Sequence, residues 1–315
     1  MKTTCIVSSF NYSNFVVEAV NSVLNQSVSF DEIIVVDDRS TDNSVEILEK
    51  KNSCNERVKL ILKEKNEGQL SSFNKGYLAS TGDIIFFLDS DDVYKKSYFE
   101  EALNFYESHK DVDFLFCALE VFGNSEGVKF YYECDRNLGY SLILTLYSQA
   151  WIGGTCSTIS LRKRILDKIL PIPYLEDWIT RADDCLVFGA SLVKGRKFYM
   201  AKPLVRYRTA ENKASHTVHT KGMNYNKPFL YQRSLSIKRL FSLLCERMHY
   251  CDEVSEIAHL SDITHLEFAT IPNPQQREFL AYLKLALSSR SVLSKKLWSV
   301  LSITKHFIRS GRKNA

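Results

Sequence analysis

Three short apolar runs, Cys5-Ile6-Val7, Ile33-Ile34-Val35-Val36 and Ile84-Ile85-Phe86-Phe87-Leu88, carry no polar alternation. Runs this short and this continuous predict strands covered on both faces. The first strand is expected at residues 3 to 8 and the second at 31 to 36, with further strands at Val58 to Leu62 and Val112 to Cys117. Between them apolar positions recur at helical spacing: Val16, Val20, Val23 and Leu24 after a cap at Ser13 or Asn14; residues 43 to 51, opened by Ser40 and Thr41; Leu70, Phe73 and Tyr77; and Phe99, Leu103 and Tyr106. Alternation of strand and helix in this order predicts an α/β fold with a mostly parallel, doubly wound sheet and right-handed crossovers.

Beyond about residue 120 the rhythm loosens into segments rich in Gly, Tyr and Asn, followed by a helix near Arg162 to Lys168 and a proline turn at Pro171 to Pro173. Another helix opens at Ala182 with two acids in its first turn, and residues 225 to 315 read as largely helical. The expected division is an α/β domain over residues 1 to 220 and a C-terminal helical, basic amphipathic region over 221 to 315. At 315 residues, 45% hydrophobic and 25% charged, the chain can build its core without staples.

A net charge of +4, from 41 Lys and Arg against 37 Asp and Glu, argues against a nucleic-acid groove. The charge is uneven. Beyond Arg277, Lys284, Arg290, Lys295, Lys296, Lys305, Arg309, Arg312 and Lys313 face one acid, Glu278, and are interleaved with Leu280, Leu287, Leu297, Trp298 and Leu301. Such a tail suits either an anionic cytoplasmic leaflet or packing on protein. The eight cysteines lack Cys-x-x-Cys or zinc spacing and read as reduced thiols. With no signal segment ahead of the first strand, and no apolar stretch near the roughly 18 residues of a membrane span, the expected location is the cytoplasmic side, soluble or peripheral on the membrane.

Two of the buried runs end in carboxylates, Asp37-Asp38 and Asp89-Ser90-Asp91-Asp92. Charges at the end of a buried strand must meet water or a cation, and in open α/β sheets that edge is where ligands bind. In isolation an acidic run more often caps a helix, and a pair such as Asp183-Asp184 more often stabilises a helix N-terminus. The series changes that weighting. Ser8-Ser9-Phe10-Asn11-Tyr12, Asp37-Asp38-Arg39-Ser40-Thr41-Asp42, Asn66-Glu67-Gly68, Asn74-Lys75-Gly76, Thr81-Gly82-Asp83 and Asp89-Ser90-Asp91 follow one another in fixed order. Together they resemble family-two inverting glycosyltransferases of the GT-A fold, over roughly residues 3 to 216.

The resemblance implies a nucleotide-diphosphate sugar donor, most readily a UDP-sugar, and a glycan or lipid-linked acceptor in surface polysaccharide synthesis. Donor contacts are then expected from Ser9, Phe10, Asn11, Asp37, Asp38, Asn66, Gly68, Asn74, Asp89, Ser90 and Arg208. Asp38, with Asp37, can accept from the N3-H of uracil, and Phe10 can stack on the base. Asp89 and Asp91, two apart on an extended segment, can hold Mn or Mg on one side. Inversion needs a carboxylate to take the acceptor proton, and Asp183-Asp184 resembles the family's acidic pair, with Asp184 at the base position and Asp183 beside it. Acceptor contacts are expected from Gly153, Gly154, Thr155 and Trp178. The segment Leu204 to Arg208 resembles the family's Tyr-Arg-x-His, but Ala210 stands where the His belongs. His216, or His219, is the candidate replacement as a metal ligand. Rival readings are a sugar-nucleotide nucleotidyltransferase, which would need a Gly-rich phosphate loop after the first strand, and a degenerate sugar-nucleotide binding module.

Overall fold

The computed structural model describes residues 1–52, 55–209, 227–250, 264–289 and 291–311. Its centre is a ten-stranded mixed sheet. The elements alternate at first: β1 (Thr3–Ser9), α1 (Val16–Leu24), β2 (Glu32–Asp37), α2 (Ser44–Asn52), β3 (Val58–Leu62), α3 (Gln69–Ala79) and β4 (Ile84–Asp89). Then come β5 (Val93–Tyr94), α4 (Tyr98–Ser108), β6 (Phe114–Gly123), β7 (Gly127–Lys129), β8 (Arg136–Gly139), α5 (Leu142–Ser148), β9 (Ile159–Arg162), α6 (Lys163–Ile169), α7 (Asp183–Leu192) and β10 (Lys197–Thr209). Four helices follow: α8 (Lys227–Arg247), α9 (Thr264–Phe268), α10 (Gln276–Ser288) and α11 (Leu293–Gly311).

The main strand order is β3-β2-β1-β4-β9-β6-β10-β5, with β1 to β4 parallel. Beyond β4 the sheet turns mixed. The strand at Phe114 does not lie against β4, because β9 enters between them, antiparallel to both. Only four residues long, Ile-Ser-Leu-Arg, β9 is too brief for its alternation to stand out, yet all four side chains are buried.

Period-two alternation within each strand sorts the core into two layers. Ile6, Ile34, Ile85, Phe87, Phe114 and Phe116 meet α3, α5, α6 and α7 on one face. Cys5, Val7, Ile33, Val35, Phe86 and Leu115 meet α1 and α4 on the other. Continuous apolar runs are thus required because neither face of these strands sees water. The C-terminal helices join the first layer: Ile237, Leu240, Leu244, Phe268, Tyr282 and Ile303 are buried in it, and Phe241 lies edge-on to Phe188 of α7 at 5.4 Å. Polar ties reinforce that packing. Glu267 accepts from the backbone N–H of Ile143 (2.7 Å) and Leu144 (3.0 Å) at the start of α5, and Glu278 pairs with Arg136 at 2.6 Å.

Candidate active site

Register brings the acidic strand ends level. Ser9 of β1 stands opposite Asp37 of β2, and Ser8 opposite Asp89 of β4. Beyond this edge lies a cavity of about 260 Å³, lined by Ser8, Ser9, Phe10, Tyr12, Asp38, Gly68, Gln69, Ser72, Asp89, Ser90, Asp91, Thr155, Cys156, Ile179, Thr180, Arg181, Asp183 and Tyr207. It therefore gathers six of the residues expected to meet the donor (Ser9, Phe10, Asp38, Gly68, Asp89 and Ser90), together with Asp91, Thr155 and Asp183. The hydroxyls of Ser9, Ser90 and Thr155 are buried without a partner among the described residues. An orphaned buried hydroxyl is costly, so three around one cavity mark a place built for a polar ligand.

The acids there repel one another. Burial and the adjacent carboxylate of Asp89 push Asp91 up to about 7, with the Tyr12 hydroxyl donating to it in partial relief. Asp92 is raised by burial and then by Asp91, and is turned inward, accepting from Ser157 Oγ (2.6 Å) and from the backbone N–H of Arg208 (2.9 Å). Asp89 accepts from Gln69 Nε2 at 2.8 Å and from Ser8 Oγ at 3.2 Å. Gln69 in turn accepts the Ala182 N–H at 2.9 Å, joining the tip of β4 to the start of α7. Asp89 and Asp91, with the Tyr12 hydroxyl, form a hard, oxygen-only donor set whose excess negative charge a divalent cation would relieve. Among the described residues no group of three or more His, Cys, Asp or Glu converges on a metal site, so most ligands would have to come from diphosphate and water. His216 and His219 lie outside the described residues, as does Ala210.

The two adjacent aspartates of α7 face different ways. Asp183 lines the cavity, and burial followed by the neighbouring Asp184 raises it to about 7. Asp184 is fully buried behind it, accepting from Trp151 Nε1 at 2.8 Å and from Arg233 of α8 at 2.6 and 3.0 Å, with Arg181 Nε at 3.6 Å. The expected order of the pair is thus reversed in space: the second acid is committed to a salt bridge, and the first meets the cavity. Arg181, at φ 61°, takes a left-handed turn that costs a non-glycine residue energy, placed where the chain passes the cavity.

Several expected site residues instead hold loops together. Asn11 Oδ1 accepts from the Thr41 N–H at 2.7 Å, tying the β1 and β2 ends to each other. Asp37 is buried and caps its own loop through the Ser40 N–H (2.7 Å) and Oγ (2.6 Å). Asn74 is a two-way clamp on the backbone of Ile172, at 2.8 and 3.1 Å. Arg208 lies behind the acidic tip, donating from Nε to the Asp91 carbonyl at 2.8 Å and pairing with Glu18. Asn66 is half-buried and outside the cavity wall. Gly153 and Gly154 are close-packing points: a Cβ would meet Val187 at 2.6 Å and Thr158 at 2.2 Å. Trp178 is only 2% exposed, which rules out an open stacking platform, although it borders a second cavity of about 320 Å³.

Gly68 is irreplaceable for two reasons. Its φ is 88°, and a Cβ would lie 2.4 Å from Ile179 Cα. Its N–H donates to Asp38 Oδ2 at 2.7 Å, while Asp38 Oδ1 is paired with Lys63. The second cavity lies between residues 176 to 181 and α8, and shares Ile179, Thr180 and Arg181 with the first. Gln69 and Arg181 carry no sequence signal and are brought to the wall by the fold alone, whereas Tyr12 and Tyr207 stand in quoted segments that gave them no role.

The model of the family described as glycosyl transferase family 2 matches residues 4–170, more than half the chain. The chain belongs to that family. Among its relatives, the chain is 29% identical over 211 residues to an uncharacterized glycosyltransferase of Nostoc sp., covering 66% of this chain and 65% of the relative. It is 38% identical over 100 residues to the putative teichuronic acid biosynthesis glycosyltransferase TuaG of Bacillus subtilis, covering 32% and 40%. The matched stretches thus span less than two thirds of either relative's length. Crystal structures of TarS residues 1–349 from S. aureus are similar in fold, with a TM-score of 0.59 for the complex with UDP-GlcNAc and 0.56 for that with UDP, covering all of this chain and 91% and 92% of those chains at 18% and 19% identity. At that identity the likeness shows the GT-A fold, with the C-terminal helices beside it.

Proposed function

We propose that this glycosyltransferase moves a sugar, with inversion, from a UDP-sugar to a hydroxyl of a glycan or lipid-linked acceptor in the synthesis of a surface polysaccharide. The observation that carries the reading is one cavity whose wall brings together Asp89, Asp91 and the carboxylate of Asp183. Support for the donor class comes from the TarS complexes with UDP and UDP-GlcNAc, and for the acceptor class from the teichuronic acid relative.

Phe10 lines the cavity and can stack on the base, and Asp38, whose Oδ1 is taken up by Lys63 and the Glu67 N–H, keeps one lone pair on Oδ2 beside the Gly68 N–H for an N–H of uracil. Asp89 and Asp91 would hold Mn or Mg. Such an ion supplies neutralisation of the diphosphate as the sugar-oxygen bond breaks. Asp183 takes the proton of the acceptor hydroxyl while that oxygen attacks the anomeric carbon from the side opposite the leaving group. A carboxylate raised to about 7 is a much stronger base than an ordinary one, half ionised at neutral pH and more fully so in alkali. Asp184, locked to Arg233 and Trp151, keeps a fixed negative charge next to that base. The acceptor would occupy the second cavity, which opens on the same Ile179–Arg181 wall.

The test is a panel of nucleotide sugars assayed for nucleoside diphosphate release, with the anomeric configuration of the product read by NMR. A UDP-sugar should be turned over with inversion, and Asp183→Asn should abolish transfer while keeping donor affinity. Retention of configuration, or full turnover by Asp183→Asn, would overturn the mechanism.

A further inference from the structure

Helix α11 is only half used by the fold. Ser299, Ile303 and Ser310 are buried against the rest of the protein, while Leu293, Leu297, Leu301 and Ile308 are 70%, 53%, 65% and 50% exposed. At 100° per residue those four fall within one narrow stripe, so this is a continuous apolar ridge rather than scattered surface leucines. Trp298, 63% exposed, borders it, and exposed Lys305 and Arg309 follow on the same flank. The neighbouring α10 repeats the arrangement with Leu280, Lys284 and Leu287 exposed at i, i+4 and i+7.

We infer that this ridge docks the enzyme flat on an anionic lipid bilayer. Charge decides between the possible occupants. Over residues 276–311 the sequence has one acid, Glu278, and it is buried in its pair with Arg136, whereas Arg277, Lys284, Lys296, Lys305 and Arg309 bring positive charge to the same two helices. A second copy of the chain meeting this face about a two-fold axis would set these cations against themselves with no carboxylate to answer them. Anionic headgroups answer all of them, and apolar side chains sink into the acyl boundary beneath. The helix runs 19 residues, about 28 Å, and lies on rather than across the bilayer: among the described residues no helix is long and apolar enough to span. Such a surface would bring the active site to lipid-linked molecules, but it stands independently of which sugar is transferred.

The test is co-sedimentation of the full chain, without any sugar donor, with vesicles of phosphatidylcholine alone or mixed with phosphatidylglycerol. Binding should require the anionic lipid, fall at least about tenfold between low and high salt, and be accompanied by a blue shift of Trp298 fluorescence. Leu297→Ser with Leu301→Ser should weaken binding at least about tenfold while leaving the melting temperature unchanged, because both side chains already face solvent. Equal binding by that variant, binding to neutral vesicles alone, or no binding at low salt would overturn the proposal. So would a dimer in sedimentation equilibrium that Leu301→Ser dissolves, since it would give the ridge to a second copy.

Discussion

Asp183 and Asp184 are neighbours in sequence, but their replacements by Asn are expected to fail in opposite ways. Removing one partner of a buried ion pair costs about 3–5 kcal/mol. Asp184 is fully buried and holds Trp151 and two nitrogens of Arg233, but the Arg233 side chain keeps 23% of its surface exposed and can turn toward water. That relief lowers the expected cost of Asp184→Asn to about 2–3 kcal/mol, or a fall of about 5 °C in melting temperature for a chain of this size. Asp183→Asn removes a charge that folding disfavours. A rise from 3.8 to about 7 corresponds to at most about 4 kcal/mol, and solvent in the cavity screens part of it, so a gain of about 1–2 kcal/mol is expected at pH 8. The assay is thermal unfolding at pH 8 alongside donor turnover. Asp183→Asn should melt higher and be inactive, and Asp184→Asn should melt lower. A lower melting temperature for Asp183→Asn together with an unaffected Asp184→Asn would refute the assignment of the two side chains.

Other consequences can be measured together. The transfer rate should fall as pH drops below about 7, where Asp183 and Asp91 both take up protons; a flat profile down to pH 5 would contradict this. The sign for stability is the reverse. Folded Asp183 binds its proton more tightly than the unfolded chain does, so its penalty is full above about 7 and is relieved as pH falls toward 3.8. Gly68→Ala should cost at least about 2 kcal/mol and weaken donor binding, since both its φ and its approach to Ile179 exclude a methyl group; a wild-type melting temperature would count against that account.

Strands β1 to β4 and β6 were legible, most clearly where burial on both faces leaves runs such as Ile84–Leu88 without ambiguity. Strands β5, β7, β8 and β9 were not, for at two to four residues they depend on partners far along the chain rather than on a pattern of their own, and neither was β10, whose register is broken around Pro203. The site divides similarly. Asp89, Asp91 and Gly68 were readable because a strand end or a special turn fixes where they point. Asn11 and Asn74 stand in the same motifs yet bind backbone, since an amide that can grip a ligand can equally grip a loop. Nor could sequence distinguish Asp183 from Asp184: what separates them is Arg233, 49 residues beyond Asp184, reaching back from α8.

Binding of a nucleoside diphosphate at the acidic tip of β4 through a divalent cation can be read by calorimetric titration of UDP into the wild-type protein and Asp91→Ala, with and without Mn. Mn should tighten UDP binding to the wild type at least about tenfold, and Asp91→Ala should lose this increment while remaining folded. Equal affinity with and without Mn, or an undiminished effect of Mn in Asp91→Ala, would contradict it.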